Sequence, residues 1–134
     1  MPMDLYAEDI ITHYEHPHNK GKLKDVSVSM HNENALCGDS LTMYLRIKND
    51  IVEEVKFEGD GCAISVAAAS MLTDSIKGKS LKEIEEMDVH SIFKIIGFDP
   101  GPARLKCATL SLRTLKEAAF AYQHKAVDAE TKTL

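Results

Sequence analysis

Three cysteines and one aspartate are the residues of this chain best suited to chemistry. Cys37 and Asp39 stand two positions apart in the stretch ALCGDS, with Gly38 between them. Cys62 follows Gly61 in EGDGCAIS, and Cys107 follows Lys106 in ARLKCATL. A thiolate is a soft metal ligand and a nucleophile, whereas a carboxylate is a hard oxygen donor. Together they form a four-ligand set that suits tetrahedral Zn²⁺ or a small iron–sulfur cluster. The alternative is three small buried hydrophobes and an ordinary turn aspartate. The cysteines are separated by 25 and 45 residues, which matches no CxxC zinc or ferredoxin spacing. Such ligands meet only if the fold brings them together. An oxygen ligand holds a cluster iron less firmly than a third or fourth thiolate would. That weakness suits a protein that gives its cluster away better than one that keeps it.

The elements that must position these residues can be read from periodicity. Leu5, Ile10, Ile11 and Tyr14 form an imperfect helical stripe, and Pro17 ends that helix in the loop HPHNKGKL. Val26, Val28 and Met30 alternate as on a strand, and Leu41, Met43, Leu45 and Ile47 do the same. Asn49-Asp50 reads as a tight turn into a third strand carrying Val55 and Phe57, so the sheet is expected to be antiparallel. A helix is expected after Gly61, with Ile64, Ala67, Ala68, Met71 and Ile76 inward and Gly78 as its stop. Ser80 to Glu83 reads as a capping box, and Asp88 caps a further helix ending near Gly97. From Pro102 or Ala103 a long helix runs towards His124, with Leu105, Thr109, Leu112, Leu115, Ala119 and Tyr122 inward. The polar residues 125–134 are expected to fray. Helix, three strands, then helices is an α+β order in a single domain over residues 1–134.

Within this frame the three cysteines fall at element ends, where sites are built. Cys62 stands at a helix N-terminus, whose dipole favours thiolate. Cys107 lies in the first turns of the long helix, off the Leu105–Leu112–Leu115 stripe and on the side of Arg104 and Ser111. Arg104 and Lys106 also favour thiolate there. Six histidines, His13, His16, His18, His31, His90 and His124, are further possible ligands. Most read as surface or loop residues, and the HPH of residues 16–18 is too weak a pattern by itself.

Composition narrows the function classes. Sixteen Lys and Arg against 21 Asp and Glu give 134 residues a net charge of −5, which argues against nucleic acid as the partner. No apolar run approaches the ~20 residues of a membrane span, and the acidic start MPMDLYAEDI is no signal peptide. A cytoplasmic location without membrane contact is expected, and three cysteines there do not suggest a disulfide framework.

At ALCGDS, EGDGCAISVAAASML and ARLKCATLSLRTLKEA the sequence resembles the three cysteine segments of the U-type iron–sulfur cluster assembly scaffolds: IscU, SufU and the N-terminal domain of NifU. LYAEDIITHYEHPHNKGKL resembles the family's N-terminal segment, with HPHN where NPRN is usual, and the likeness extends to about Tyr122. The resemblance implies an α+β fold: a three-stranded antiparallel sheet with an N-terminal helix and packed C-terminal helices. It also implies that Cys37, Asp39, Cys62 and Cys107 match the ligand positions. Three departures stand out. Lys106 occupies the position before the third Cys where many IscU-type members carry a ligating His, and a protonated Lys offers no lone pair. DPGPARLK replaces the LPPVK chaperone-recognition motif of bacterial IscU. The extra segment of SufU between the second and third cysteines is missing.

The resemblance implies a non-enzymatic scaffold that assembles a [2Fe–2S] cluster and transfers it to apo iron–sulfur recipient proteins. Cys107, on the more basic flank, is the candidate first sulfur acceptor, with Lys106, Arg104 and Gly38 as supporting residues. The implied partners are a cysteine desulfurase, iron and electron donors, and the recipients; a homodimer would cover an open cluster site. The rival reading is a SufU-type sulfurtransferase holding Zn²⁺ at the same four ligands.

Overall fold

The computed structural model describes residues 2–34 and 38–134, so Cys37 lies outside the described residues. Helix α1 (Pro2–Glu15) is followed by strands β1 (Val28–Asn34), β2 (Asp39–Lys48) and β3 (Ile51–Asp60). The helices α2 (Ala63–Ile76), α3 (Leu81–Glu85), α4 (Val89–Ile96), α5 (Leu105–Tyr122) and α6 (Ala129–Lys132) complete the chain. The strands form one antiparallel sheet in the order β1-β2-β3, as the alternation and the turn residues predict. Asn49 and Asp50 adopt φ of 55° and 61° between paired Lys48 and Ile51. Two successive positive φ values match the right-handed twist of a two-residue hairpin, and Asn and Asp tolerate them.

Helices cover one face of the sheet. Leu41, Met43, Leu45 and Ile47 of β2 point into the core, with Val52, Val55 and Phe57 of β3 beside them. Leu72 and Ile76 of α2 and Leu110, Leu112 and Leu115 of α5 fill the space above. Burying each such side chain contributes about 1.5–3 kcal/mol before chain entropy is charged against it. On the opposite face Tyr44 donates to Glu58 at 2.6 Å, a cross-strand pair suited to water. The expected caps form: Ser80 and Glu83 make a reciprocal capping box on α3, Asp88 caps α4, and Gly97 ends α4 with φ of 91°.

Three features differ from the sequence reading. On α1, Ile10 is buried while Ile11 and Tyr14 are exposed, because α1 packs mainly against α2 and buries a narrow stripe. Helix α5 has no single inward stripe. It packs against β1, β2, α2, α3, α4 and α6, so Cys107, Ala108, Ser111 and Ala118 are buried along with the leucines. Cys107 is therefore off the leucine stripe and still inside the protein. The segment expected to fray is instead docked. Asp128 caps α6 through the Thr131 N–H, Thr131 and Leu134 are buried, and the Lys106 ammonium donates to the Thr133 and Leu134 carbonyls at 2.7 and 2.9 Å. A short N-cap and a cation on the terminal carbonyls supply an anchor that polarity alone does not reveal.

Candidate metal centre

Asp39 is the first residue of β2, and strand parity decides where it points. The buried row Leu41, Met43, Leu45, Ile47 extends back by two residues to Asp39, which is only 1% exposed. A carboxylate is thus carried on the helix-covered face, where an apolar side chain would otherwise sit. Cys62 is the N-cap residue of α2, half-buried, with extended backbone and no side-chain cap of its own. Cys107 is the third residue of α5 and 2% exposed. One donor atom from each of Asp39, Cys62 and Cys107 lies within 4.8 Å of the other two. Residues 39, 62 and 107 come from a strand and two helices, and the packing of α5 over β2 and of α2 against β3 and α5 brings them to one point. Cys37, two positions before Asp39, is outside the described residues.

The local hydrogen bonding supports a metal-binding reading. Asp39 Oδ1 accepts the Cys62 backbone N–H at 2.9 Å, which locks the strand end to the start of α2. Asp39 Oδ2 is buried and has no hydrogen-bond partner among the described residues. Leaving a buried carboxylate oxygen unsatisfied is costly, and a ligated cation would remove that cost. Both helices present N-termini without side-chain caps, since neither Cys62 nor Arg104 caps its helix. Two positive helix ends therefore meet where two thiol groups and a carboxylate collect.

The glycines contribute in different ways. Gly38 has φ of +70°, and a β-carbon there would meet nothing within 4 Å. Its role is conformational, letting the chain turn into β2 rather than relieving crowding. The close approach is at Gly61, which the sequence reading did not single out. A β-carbon there would lie 2.6 Å from Asp39 Oδ1 and 3.1 Å from Ser65 Oγ. Its place immediately before a helix-capping cysteine was the available signal.

Arg104 and Lys106 are exposed at the start of α5. The Lys106 ammonium is held by the C-terminal carbonyls, so the residue before Cys107 also ties down the tail. Lys106→Ala is expected to keep the fold, loosen residues 129–134, and slow sulfur acceptance at the site by removing a nearby cation. Hydrogen exchange of the tail and the rate of Cys107 modification by a thiol reagent check the two effects separately. An unchanged rate across pH would leave Lys106 with the structural role alone.

Histidines form a second gathering, outside the cysteine site. His13, His18 and Asp74 each offer a donor atom within 4.8 Å of the other two. Burial, and then the neighbouring His18, holds the His13 imidazole below its ordinary range. The HPH pattern of residues 16–18 is too weak to single out this cluster and shares only His18 with it, and Asp74 carries no sequence signal linking it to the two rings.

An α+β fold that gathers a strand carboxylate and two helix-terminal cysteines over one face of its sheet presents a candidate thiolate–carboxylate metal centre. The chain belongs to the NifU-like N-terminal domain family, whose profile matches residues 5–129. It is 40% identical to the zinc-dependent sulfurtransferase SufU of Bacillus subtilis (strain 168), covering 84% of this chain and 88% of that protein. It is 35% identical to the iron–sulfur cluster assembly scaffold protein IscU of Thermotoga maritima, covering 85% and 92%. Among solved structures, it is similar to a candidate iron–sulfur cluster assembly scaffold for the SUF system from Fervidobacterium islandicum AW-1. That match has a TM-score of 0.68 at 30% identity, over 87% of this chain and 97% of the other.

Proposed function

We propose that this protein is a scaffold on which a [2Fe–2S] cluster is assembled and from which it is passed to apo iron–sulfur proteins in the cytoplasm. The observation that carries this reading is the meeting of Asp39, Cys62 and Cys107, with the buried Asp39 Oδ2 lacking a partner among the described residues. Cys37 completes the ligand set on sequence grounds. The cluster is cargo, so the site must both hold it and let it go. Sulfur enters when a scaffold thiolate attacks the outer sulfur of a cysteine desulfurase persulfide. The new S–S bond forms on the scaffold, and the desulfurase cysteine leaves as thiolate. Each sulfur atom then needs two electrons to become sulfide, supplied by ferrous iron and an electron donor. Cys107 as first acceptor requires the start of α5 to move outward, because its side chain is buried; Cys62 is more accessible. A homodimer would shield the open side of the site.

The second reading is a zinc-dependent sulfurtransferase, favoured by the 40% identity to SufU and by the lack of a His before Cys107. Three thiolates and one carboxylate also fit Zn²⁺, with Cys37, Asp39, Cys62 and Cys107 as its holders. Bound zinc would supply charge that keeps the thiols ionised.

Anaerobic reconstitution with iron and sulfide tests both. Iron and acid-labile sulfide in equal amounts, with the absorption of a [2Fe–2S] centre, are expected. Stoichiometric zinc that resists replacement by iron, together with persulfide acceptance, would transfer the assignment to the sulfurtransferase. Binding of neither would overturn the site.

A further inference from the structure

The gathering of His13, His18 and Asp74 is built differently from a chance surface cluster. His13 is in the last turn of α1, His18 in the loop that follows, and Asp74 near the end of α2. His13 and Asp74 are each held by a further side chain, and His18 through its backbone. His13 Nδ1 is 2.7 Å from Ser70 Oγ, a fully buried hydroxyl. The same oxygen accepts the His18 backbone N–H at 2.8 Å. With Nδ1–H donating to Ser70, both lone pairs of that oxygen are used and His13 Nε2 is left as a donor to a metal. Asp74 Oδ1 accepts from Asn19 Nδ2 at 2.9 Å, and Asn19 also donates to Thr73 Oγ1. Asp74 Oδ2 lies 2.5 Å from His18 Nδ1. The two imidazole rings are 4.6 Å apart between centroids. In His13 and Asp74 the atom not offered to the metal is held by a neighbour, as in metal-ligating histidines and carboxylates, while His18 is anchored through its backbone.

From this geometry we propose a second, peripheral site for a first-row divalent transition ion, held by His13, His18 and Asp74. Two imidazoles and one carboxylate suit Zn²⁺, Ni²⁺ or Fe²⁺ and leave positions for water. His18 and Asp74 have side chains 53% and 42% exposed, so ion and water both have access. Ligand edges around a tetrahedral ion are about 3.4 Å, given metal–nitrogen distances near 2.0–2.1 Å. One donor atom of each residue already lies within 4.8 Å of the other two, and side-chain rotation brings the set to that spacing. The ion replaces the His18–Asp74 hydrogen bond and releases whatever proton it holds. Along α2, Asp74 is twelve residues beyond Cys62, about 18 Å at 1.5 Å per residue. The site is therefore separate from the cysteine centre and independent of the function proposed for it. Its effect is to clamp the end of α1 and its following loop to the C-terminal half of α2.

Titration of the full-length metal-free protein with Zn²⁺ alone tests this. The first equivalent is read by protection of the cysteines from alkylation, and the second by movement of the His13 and His18 ring signals in NMR spectra. Wild type is expected to take up two equivalents, and His18→Gln and Asp74→Asn one each, with cysteine protection intact. Both substitutions are at exposed positions, and the ring signals of wild type give an answer without any variant. Uptake of only one equivalent with unmoved ring signals would overturn the site and leave the cluster as hydrogen bonding alone. Two equivalents retained in His18→Gln would overturn it as well, by locating the second ion elsewhere. Loss of cysteine protection with the ring shifts preserved would count against the cysteine centre and leave this site standing.

Discussion

Cys107→Ser is expected to abolish stable cluster assembly while leaving the fold intact. Serine is close in size to cysteine, so the substitution leaves little cavity at a position that is 2% exposed. What it removes is a thiolate. A serine hydroxyl remains protonated at neutral pH and is a poor ligand for a soft cluster iron. Cys107 is also the candidate ligand that α5 contributes, so without it the site loses its connection to that helix. The same loss is expected for Cys37→Ser and Cys62→Ser. Iron and acid-labile sulfide content after anaerobic reconstitution measures the effect, with circular dichroism as the check on folding. A Cys107→Ser protein that retains a full and stable cluster would show that the cysteine is a core residue and not a ligand.

Asp39→Ala is expected to act in the opposite direction, prolonging the lifetime of the cluster. An oxygen donor bonds cluster iron less covalently than thiolate and is more readily displaced by an incoming ligand from a recipient protein. Removing it takes away the group through which the coordination shell opens, and solvent or a neighbouring side chain fills the position. The structure adds a separate cost to the same substitution. Asp39 Oδ1 accepts the Cys62 N–H at 2.9 Å, and loss of that bond is expected to destabilise the fold by about 1–3 kcal/mol. Lower thermal stability combined with slower cluster transfer is the expected signature. Cluster half-life with and without an apo-ferredoxin acceptor, in wild type and variant, is the decisive comparison. Faster spontaneous loss with unimpaired transfer would reduce Asp39 to an ordinary ligand.

Much of the architecture was legible because it rests on local chemistry. Asn49-Asp50 turns the hairpin because two short polar residues tolerate positive φ. Ser80 with Glu83, Asp88, and Gly97 mark helix ends through bonds that span at most four residues. The β2 alternation was read from Leu41 to Ile47, and one further step along the same row would have placed Asp39 in the interior. The inward stripe of α5 is buried at Thr109, Leu112, Leu115 and Ala119 as expected, but the helix is covered on further faces for a physical reason. A one-sided stripe presumes one covered face, whereas α5 is enclosed by strands and helices on several sides. The tail was misread in the same way, because Leu134 and Thr131 find burial against elements far away in the chain.

The sequence by itself determined the elements, the types of ligand and the positions of two cysteines at helix starts, since these depend on side-chain chemistry and on contacts within a few residues. Only the tertiary structure decided which donors meet. The joining of Asp39, Cys62 and Cys107 depends on how α2 and α5 lie across the sheet, which is set by core packing around Met43, Leu72 and Leu112. The grouping of His13 and His18 with Asp74 depends in the same way on α1 docking along α2. Residues tens of positions apart have no shared local signal, because the intervening chain can fold back at many angles. Packing of the intervening elements selects one of those angles, and with it the site.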